Sequence, residues 1–427
     1  MTSYRSLARN HDFAVLWTGR TISGLGSSIS TFAFPLVAYA ATRSAVVTSL
    51  TEAAYLVGMV GALLPAGLLA DRLDRRLLMR TSAAVGVLLY LTLVAAGLAH
   101  ALTIPHLVAV ALGTGIAAGL FSPAESAAVR TVVSTEELPA ALSQSQAREH
   151  VASLLGAPLG GVLFGLARWV PFAADLLSYA ACWVLLGRIR ASLTPEPRTR
   201  TAAGAGRAAS PLGEIGEGLR YLVGRPFYRV LGTWAPLANL AVNAVFYVAV
   251  LRLISAGYPA WQIGLVETMA GAAGILGALC APWIIDRTRT GVLMVVESWL
   301  FVPLLVPMAV WNRPWVVGSA VALGLFANPA TNAGLSAYAQ SILPRELLGR
   351  YSSTMQFVLM STMPLSPLLA GVLLSAVGGE EAVLALAVPV ALVALLPTLS
   401  RTIWGIPRPA AWREAEAAGV EPAALAG

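Results

Sequence analysis

Apolar stretches long enough to cross a bilayer recur along nearly the whole chain, and no soluble core could bury so many of them. A hydrocarbon layer ~30 Å thick is crossed in about 20 residues by a helix rising 1.5 Å per residue. By that measure twelve spans are predicted, at 13–40, 46–70, 77–99, 105–129, 141–166, 169–187, 227–253, 261–285, 291–311, 314–340, 350–376 and 382–403. Only 11% of the 427 residues are charged, against about a quarter in a soluble domain, and mean hydropathy is +0.74. The expected fold is therefore an all-α membrane protein whose main solvent is lipid.

The few charges are distributed in a way that sets orientation. All 28 basic residues are Arg. With both termini cytoplasmic, 22 of them fall on the cytoplasmic side; only Arg43, Arg168 and Arg313 fall outside, and Arg20, Arg148 and Arg252 lie deeper within spans. Short cytoplasmic loops are enriched in basic residues, so this is the predicted topology, in a plasma membrane. The net charge of +7 does not point to nucleic acid, because the Arg residues lie between membrane spans rather than on one soluble face. Without Lys the chain can supply neither a phosphate-binding Walker lysine nor a pyridoxal Schiff base, so a self-contained ATP pump is excluded. No cofactor or metal site is expected. Cys182 and Cys280 sit in apolar runs without CxxC or neighbouring His, and read as small buried hydrophobes. Residues 1–12 are mostly polar and the first apolar run lacks a small-residue cleavage site, so no signal peptide is expected.

Four regions are predicted: a six-helix bundle over 1–187, a cytoplasmic linker over 188–226, a second six-helix bundle over 227–404, and a disordered polar tail over 405–427. Within the linker, Ser210-Pro211 reads as a helix start, and Ile215, Leu219, Leu222 and Val223 share one face of a short surface helix. The bundles repeat weakly. Asp71-Arg72 recurs as Asp286-Arg287 and Glu52 as Glu267, both at an offset of 215; Gln146 and Gly161-Val162-Leu163 recur as Gln356 and Gly371-Val372-Leu373 at an offset of 210. Glu137-Leu138 also matches Glu346-Leu347. Slowly drifting offsets are what duplication of a bundle produces, and paired six-helix repeats with substrate at midplane are a transporter architecture.

The segment GLLADRLDRR, Gly67 to Arg76, resembles the signature loop between helices two and three of the major facilitator superfamily. Gly67, Asp71, Arg72, Arg75 and Arg76 match that pattern, which implies a conformational latch: a small residue for helix approach, an acid to cap a helix, and Arg groups to bridge adjacent helices. LARNHDFAVLW from Leu7, ISGLG from Ile22 and TEELPAALSQSQ from Thr135 are similar to the drug-exporter branch that includes macrolide efflux proteins and the enterobactin exporter. GAPLGG resembles the GPxxGG element of drug/proton antiporters, with its Pro displaced; it assigns Gly156, Pro158, Gly160 and Gly161 to gating or to close packing. The sequence departs from those antiporters in span four, which lacks their Arg, and in span one, where Arg20 and Ser27 stand in place of a Gln and an acid.

An ionisable group in hydrocarbon costs about 2.5–3.5 kcal/mol on insertion scales, so each one is a candidate for function. Glu52 and Glu267 lie at equivalent depths of spans two and eight and are expected to carry protons, because desolvation favours the neutral carboxyl. Arg20 and Glu125 are expected to pair between spans one and four, against substrate or as a clamp. Of the consecutive Arg148, Glu149 and His150, Glu149 is assigned to the cavity as a third proton-coupling candidate and Arg148 to the latch acids. Asp175, Arg252 and Glu297 are left unassigned; Arg252 and Glu297 lie near enough to span ends to snorkel. Trp234, Asn239, Asn243, Asn328, Asn332, Gln146 and Gln356 complete the expected substrate cavity.

These readings converge on a monomeric secondary transporter, not an enzyme, exporting small amphipathic organic molecules by proton antiport and alternating access. Uptake of a nutrient by symport uses the same fold, and a non-transporting receptor or scaffold is the alternative of a different class.

Overall fold

The computed structural model describes residues 6–7, 9–134, 136–194, 224–343 and 348–408; the side chains at 64, 68, 71, 139, 348–350 and 352–353 lie outside that set. The expected surface helix from Ser210, the Glu346-Leu347 repeat and most of the tail fall outside the described residues. Among those described, the regular structure is helical throughout. The helices are α1 His11–Thr42, α2 Ala45–Arg72, α3 Arg75–Leu98, α4 Ile104–Val132, α5 Leu138–Leu166, α6 Val170–Leu186, α7 Pro226–Ser255, α8 Ala260–Arg287, α9 Thr290–Val310, α10 Pro314–Leu325, α11 Asn328–Ser341, α12 Leu348–Ser361, α13 Leu365–Val377, α14 Gly379–Ala385, α15 Ala387–Leu399 and α16 Arg401–Gly405.

Each of the twelve expected spans is helical, and among the described residues ten segments are long and apolar enough to cross a membrane. The sixth is short, at 17 residues. The tenth is not continuous as expected: it breaks between α10 and α11 at Phe326-Ala327. Pro329 explains the break, since it cannot donate to the Leu325 carbonyl and disfavours helical backbone at the preceding residue. Pro364 separates α12 from α13, and Pro389 separates α14 from α15, for the same reason.

Local capping sets several boundaries. The Asn10 side chain accepts from the Asp12 and Phe13 amides at the start of α1, and Ser44 caps α2. α1 ends at Arg43, whose left-handed φ of 55° turns the chain while its N–H bonds to the Tyr39 carbonyl. Asp74 separates α2 from α3 and caps α3, accepting from the Arg76 amide at 2.7 Å.

Contacts divide the chain into two compact units, 1–198 with 250–268, and 199–249 with 269–427. In the first, α2 lies along α4, α1 packs on α5 and α6, and α3 packs on α4 and α6. Small residues allow the backbones to touch: a Cβ at Gly115 would strike the Tyr55 carbonyl, one at Gly119 the Met59 carbonyl, and one at Gly58 the Leu112 carbonyl. Such approach is a main source of helix association in lipid, where burying apolar side chains gains little. In the second unit α9 packs on α15, α10 and α14. Its core is aromatic, with Phe227 edge-on to Tyr338 at 4.9 Å and the Tyr228 hydroxyl donating to the Ala339 carbonyl at 2.7 Å.

The outer faces stay apolar, with Leu166 73%, Leu279 73% and Leu399 77% exposed, as a lipid-facing surface requires. Cys182 is buried, but Cys280 is exposed, which corrects the expectation that both are core residues. Hydropathy does not distinguish a lipid-facing position from a buried one.

Candidate functional site

Inside the first unit, Glu125 of α4 bridges two arginines from different helices. Its Oε2 lies 2.9 Å from Arg20 Nε on α1, and its Oε1 2.9 Å from Arg148 Nη2 on α5. Phe121 and Glu125 are one helical turn apart, so they share a face of α4. Arg20 therefore meets both, its guanidinium 5.1 Å from the Phe121 ring centre. The Arg20–Glu125 pair is as expected. Arg148 is not directed to the latch acids; it joins that pair instead. Glu149, largely exposed at 62%, reaches Arg148 only at 3.6 Å. Two arginines thus share one buried carboxylate, and the exposed Glu149 adds a second, weaker partner to Arg148.

A second polar node, unassigned from sequence, lies deeper. Asp175 of α6 is fully buried and accepts from Ser178 Oγ and Ser30 Oγ, both at 2.6 Å. Ser30 Oγ also lies 2.8 Å from the Tyr90 hydroxyl, which brings α3 into the node. Gly26 makes this possible, because a Cβ there would collide with the Ser178 and Asp175 side chains.

In the second unit, Asn328 Nδ2 donates to Glu297 Oε1 at 2.8 Å, and Asn332 Nδ2 donates to Asn328 Oδ1 at 2.8 Å. Glu297 Oε2 is buried with no hydrogen-bond partner. Glu297 does not snorkel; it is 7% exposed, as is Arg252 in the first unit. This carboxylate was passed over in the sequence, although Asn328 and Asn332, four residues apart on one face, pointed toward it. The remaining cavity candidates are placed differently. Trp234 is buried in the second core, its Nε1 donating to Ser298 Oγ at 3.0 Å. Asn239 and Asn243 bond back to carbonyls one turn earlier in α7, while Gln146 and Gln356 are exposed.

Glu52 is buried on α2 and lies within electrostatic range of the Glu267 carboxyl; both belong to the first unit. The GAPLGG turns serve two contacts. Gly156 and Gly160 face Ser28 and Ile29 of α1, whereas Gly161 faces Ala260 and Trp261 at the start of α8. A Cβ at Gly264 would meet the Ala157 carbonyl and Pro158, and Thr268 Oγ1 donates to the Leu154 carbonyl at 3.2 Å.

At the α2–α3 turn, Arg75 Nη1 donates to Thr131 Oγ1 at 2.9 Å and Nε to the Ala70 carbonyl at 3.3 Å. Arg76 Nη2 donates to the Ala191 carbonyl at 2.6 Å. Among the described residues these arginines reach oxygen atoms of α2, of α4 and of the segment after α6 rather than acids. Arg72 is exposed, and the Asp71 side chain lies outside the described set. A Cβ at Gly67 would meet nothing within 4 Å, so this glycine does not mark a close helix contact among the described residues. Just outside the spans, hydrogen bonds from Ser6 and Ser134 hold the Glu137 carboxyl below the usual carboxylate range. Among the described residues no three His, Cys, Asp or Glu are placed to hold a metal ion.

Helices that cross a bilayer repeatedly, enclosing paired charges and buried carboxylates, define a multi-pass membrane carrier. The family model described as Major Facilitator Superfamily matches residues 16–367, so the chain belongs to that superfamily and is a transporter. No curated protein matches the sequence significantly. The fold is similar to that of a bacterial homologue of the human lysosomal transporter Spinster, with a TM-score of 0.69 and 14% identity over 92% of this chain and 97% of that one. It is also similar to a bacterial homologue of the iron transporter ferroportin, with a TM-score of 0.63 and 16% identity over 92% and 98% of the two chains. For the nucleoside transporter NupG the TM-score is 0.68, with 9% identity over 90% and 99%.

Proposed function

We propose that this transporter is a secondary exporter of small amphipathic organic molecules, of the drug-efflux kind, driven by proton antiport. The observation that carries the reading is the placement of Glu52 and Glu267 within electrostatic range of one another. Two carboxylates within electrostatic range of one another repel, and a single proton removes that repulsion. Proton arrival and departure can therefore favour different arrangements of α2 and α8, which is the coupling that alternating access needs. Arg20, Glu125 and Arg148 supply a second polar element, with Glu297, Asn328 and Asn332 as the counterpart in the other unit. The α2–α3 turn, through Arg75 and Arg76, acts as the latch. The reading places a monomer in the plasma membrane with both termini cytoplasmic, and two six-helix bundles that rock about the substrate.

Inside-out membrane vesicles expressing the protein test this. Accumulation of a fluorescent amphipathic drug should collapse on addition of an uncoupler, and Glu52→Gln and Glu267→Gln should each lower it at least tenfold. Accumulation indifferent to both the pH gradient and the membrane potential refutes the coupling.

A further inference from the structure

An open groove of about 510 Å³ lies where the start of α3 meets the end of α6, lined among others by Asp74, Arg76, Leu77, Arg80 and Trp183. Arg80 lies over the Trp183 ring, its guanidinium carbon 4.4 Å from the ring centre. Its charge is uncompensated: it makes no hydrogen bond or ion pair among the described residues, and its Nε is buried without a partner. Arg76 spends one nitrogen on the Ala191 carbonyl, and its Nε is likewise buried without a partner. The acid in the groove does not restore the balance, because Asp74 is engaged in capping α3 and stands against two arginines. The segment that Arg76 reaches is itself held in place, since the Arg190 and Ala191 amides both donate to the Asp12 carboxylate, at 2.8 and 2.9 Å.

The surroundings of the groove identify the class of anion. Leu77 is 58% exposed at its rim, and an exposed apolar track runs away from it along Leu88 and Leu91 of α3 and Val184 and Leu177 of α6. Trp183 lies within one turn of the end of its span, at the level where Trp is enriched in membrane proteins. A soluble anion has no use for such a track, whereas a phospholipid needs both parts. We propose that this groove binds an anionic phospholipid, its phosphate against Arg80 and Arg76 and its acyl chains along the exposed faces of α3 and α6. A basic pocket between membrane helices is a recognised way of holding such headgroups. Because Arg76 also belongs to the α2–α3 turn, the lipid would load the element proposed as the latch.

Full-length protein in detergent micelles, titrated with phosphatidylglycerol or phosphatidylcholine and read by native mass spectrometry, tests the site. Wild type should bind phosphatidylglycerol in preference to phosphatidylcholine. Each of Arg80→Gln and Arg76→Gln should weaken phosphatidylglycerol about fivefold, the effect of one basic residue at a membrane surface, and leave phosphatidylcholine unchanged. Arg313→Gln, at the end of a different helix, should change neither. Arg80→Lys keeps the charge and should retain the preference, and Trp183→Leu should weaken it; these two decide the matter if Arg80→Gln does not fold. Equal affinity of wild type for the two lipids, a preference that survives Arg80→Gln, or displacement of phosphatidylglycerol by millimolar inorganic phosphate would each overturn the proposal. None of these readouts depends on transport, so they stand apart from the antiport reading.

Discussion

Replacing Glu125 by Gln removes the only carboxylate that, among the described residues, contacts Arg20, and the closest one to Arg148, and leaves two cations facing each other inside the bundle. The cost can be worked from their burial. The Arg148 side chain is 4% exposed and that of Arg20 is 24%, so neither charge is well solvated once the acid is gone. Breaking a buried pair by removing one partner costs about 3–5 kcal/mol, because an uncompensated charge remains. Replacing Arg148 by Met acts in the opposite direction electrostatically: it removes one cation and leaves Arg20 and Glu125 as a neutral pair, at an expected cost of roughly 1–2 kcal/mol of packing and hydrogen bonding. The ordering of the two variants is therefore a stronger test than either value. For a unit of about 200 residues, 1 kcal/mol corresponds to about 2–4 °C in Tm, so Glu125→Gln should fall by about 6–20 °C and Arg148→Met by about 2–8 °C. Thermal unfolding of the purified full-length chain, followed by intrinsic fluorescence in one detergent, provides the comparison. A Glu125→Gln variant within about 2 °C of wild type, or an Arg148→Met variant that melts lower than Glu125→Gln, would show that the charges are solvated and that the bridge is not a buried clamp.

Other substitutions probe the remaining contacts. Gly115→Leu places a side chain against the Tyr55 backbone of α2 and should abolish well-folded protein in size-exclusion profiles, while Gly61→Ala, where a Cβ meets nothing, should be neutral. Asp175→Ala removes the buried acceptor shared by Ser30 and Ser178, leaving them only their other partners, and should destabilise by about 1–3 kcal/mol, with Asp175→Asn losing less, by the same melting measurement. Arg75→Ala removes the link from the α2–α3 turn to Thr131; it should lower drug accumulation in vesicles while leaving Tm within about 2 °C, the scale of an exposed contact. Asn328→Leu deprives Glu297 of its donor and should raise the half-maximal drug concentration for transport more than Asn239→Leu, whose amide only bonds back within its own helix.

Where the long apolar helices lie was legible in the sequence because spanning length is a local property. Hydropathy summed over one bilayer thickness locates a helix without knowing its neighbours. The same economy of charge singled out Arg20 and Glu125, since each ionisable group within a span must find a partner. What the sequence could not provide was the rotation of each helix about its axis, where one residue turns a side chain by about 100°. That rotation, set by contacts such as Gly115 on Tyr55 and Gly26 beside Asp175, decided that Arg148 joins Glu125, that Asp175 closes a node with Ser30 far away in sequence, and that Cys280 faces outward. It also buried Glu297 beside Asn328 and left Arg80 lying on Trp183 with no ion pair among the described residues. Spans were therefore determined by composition along the chain, and pairings by tertiary packing, because a polar group in lipid is satisfied only by whichever neighbour the packing brings to it.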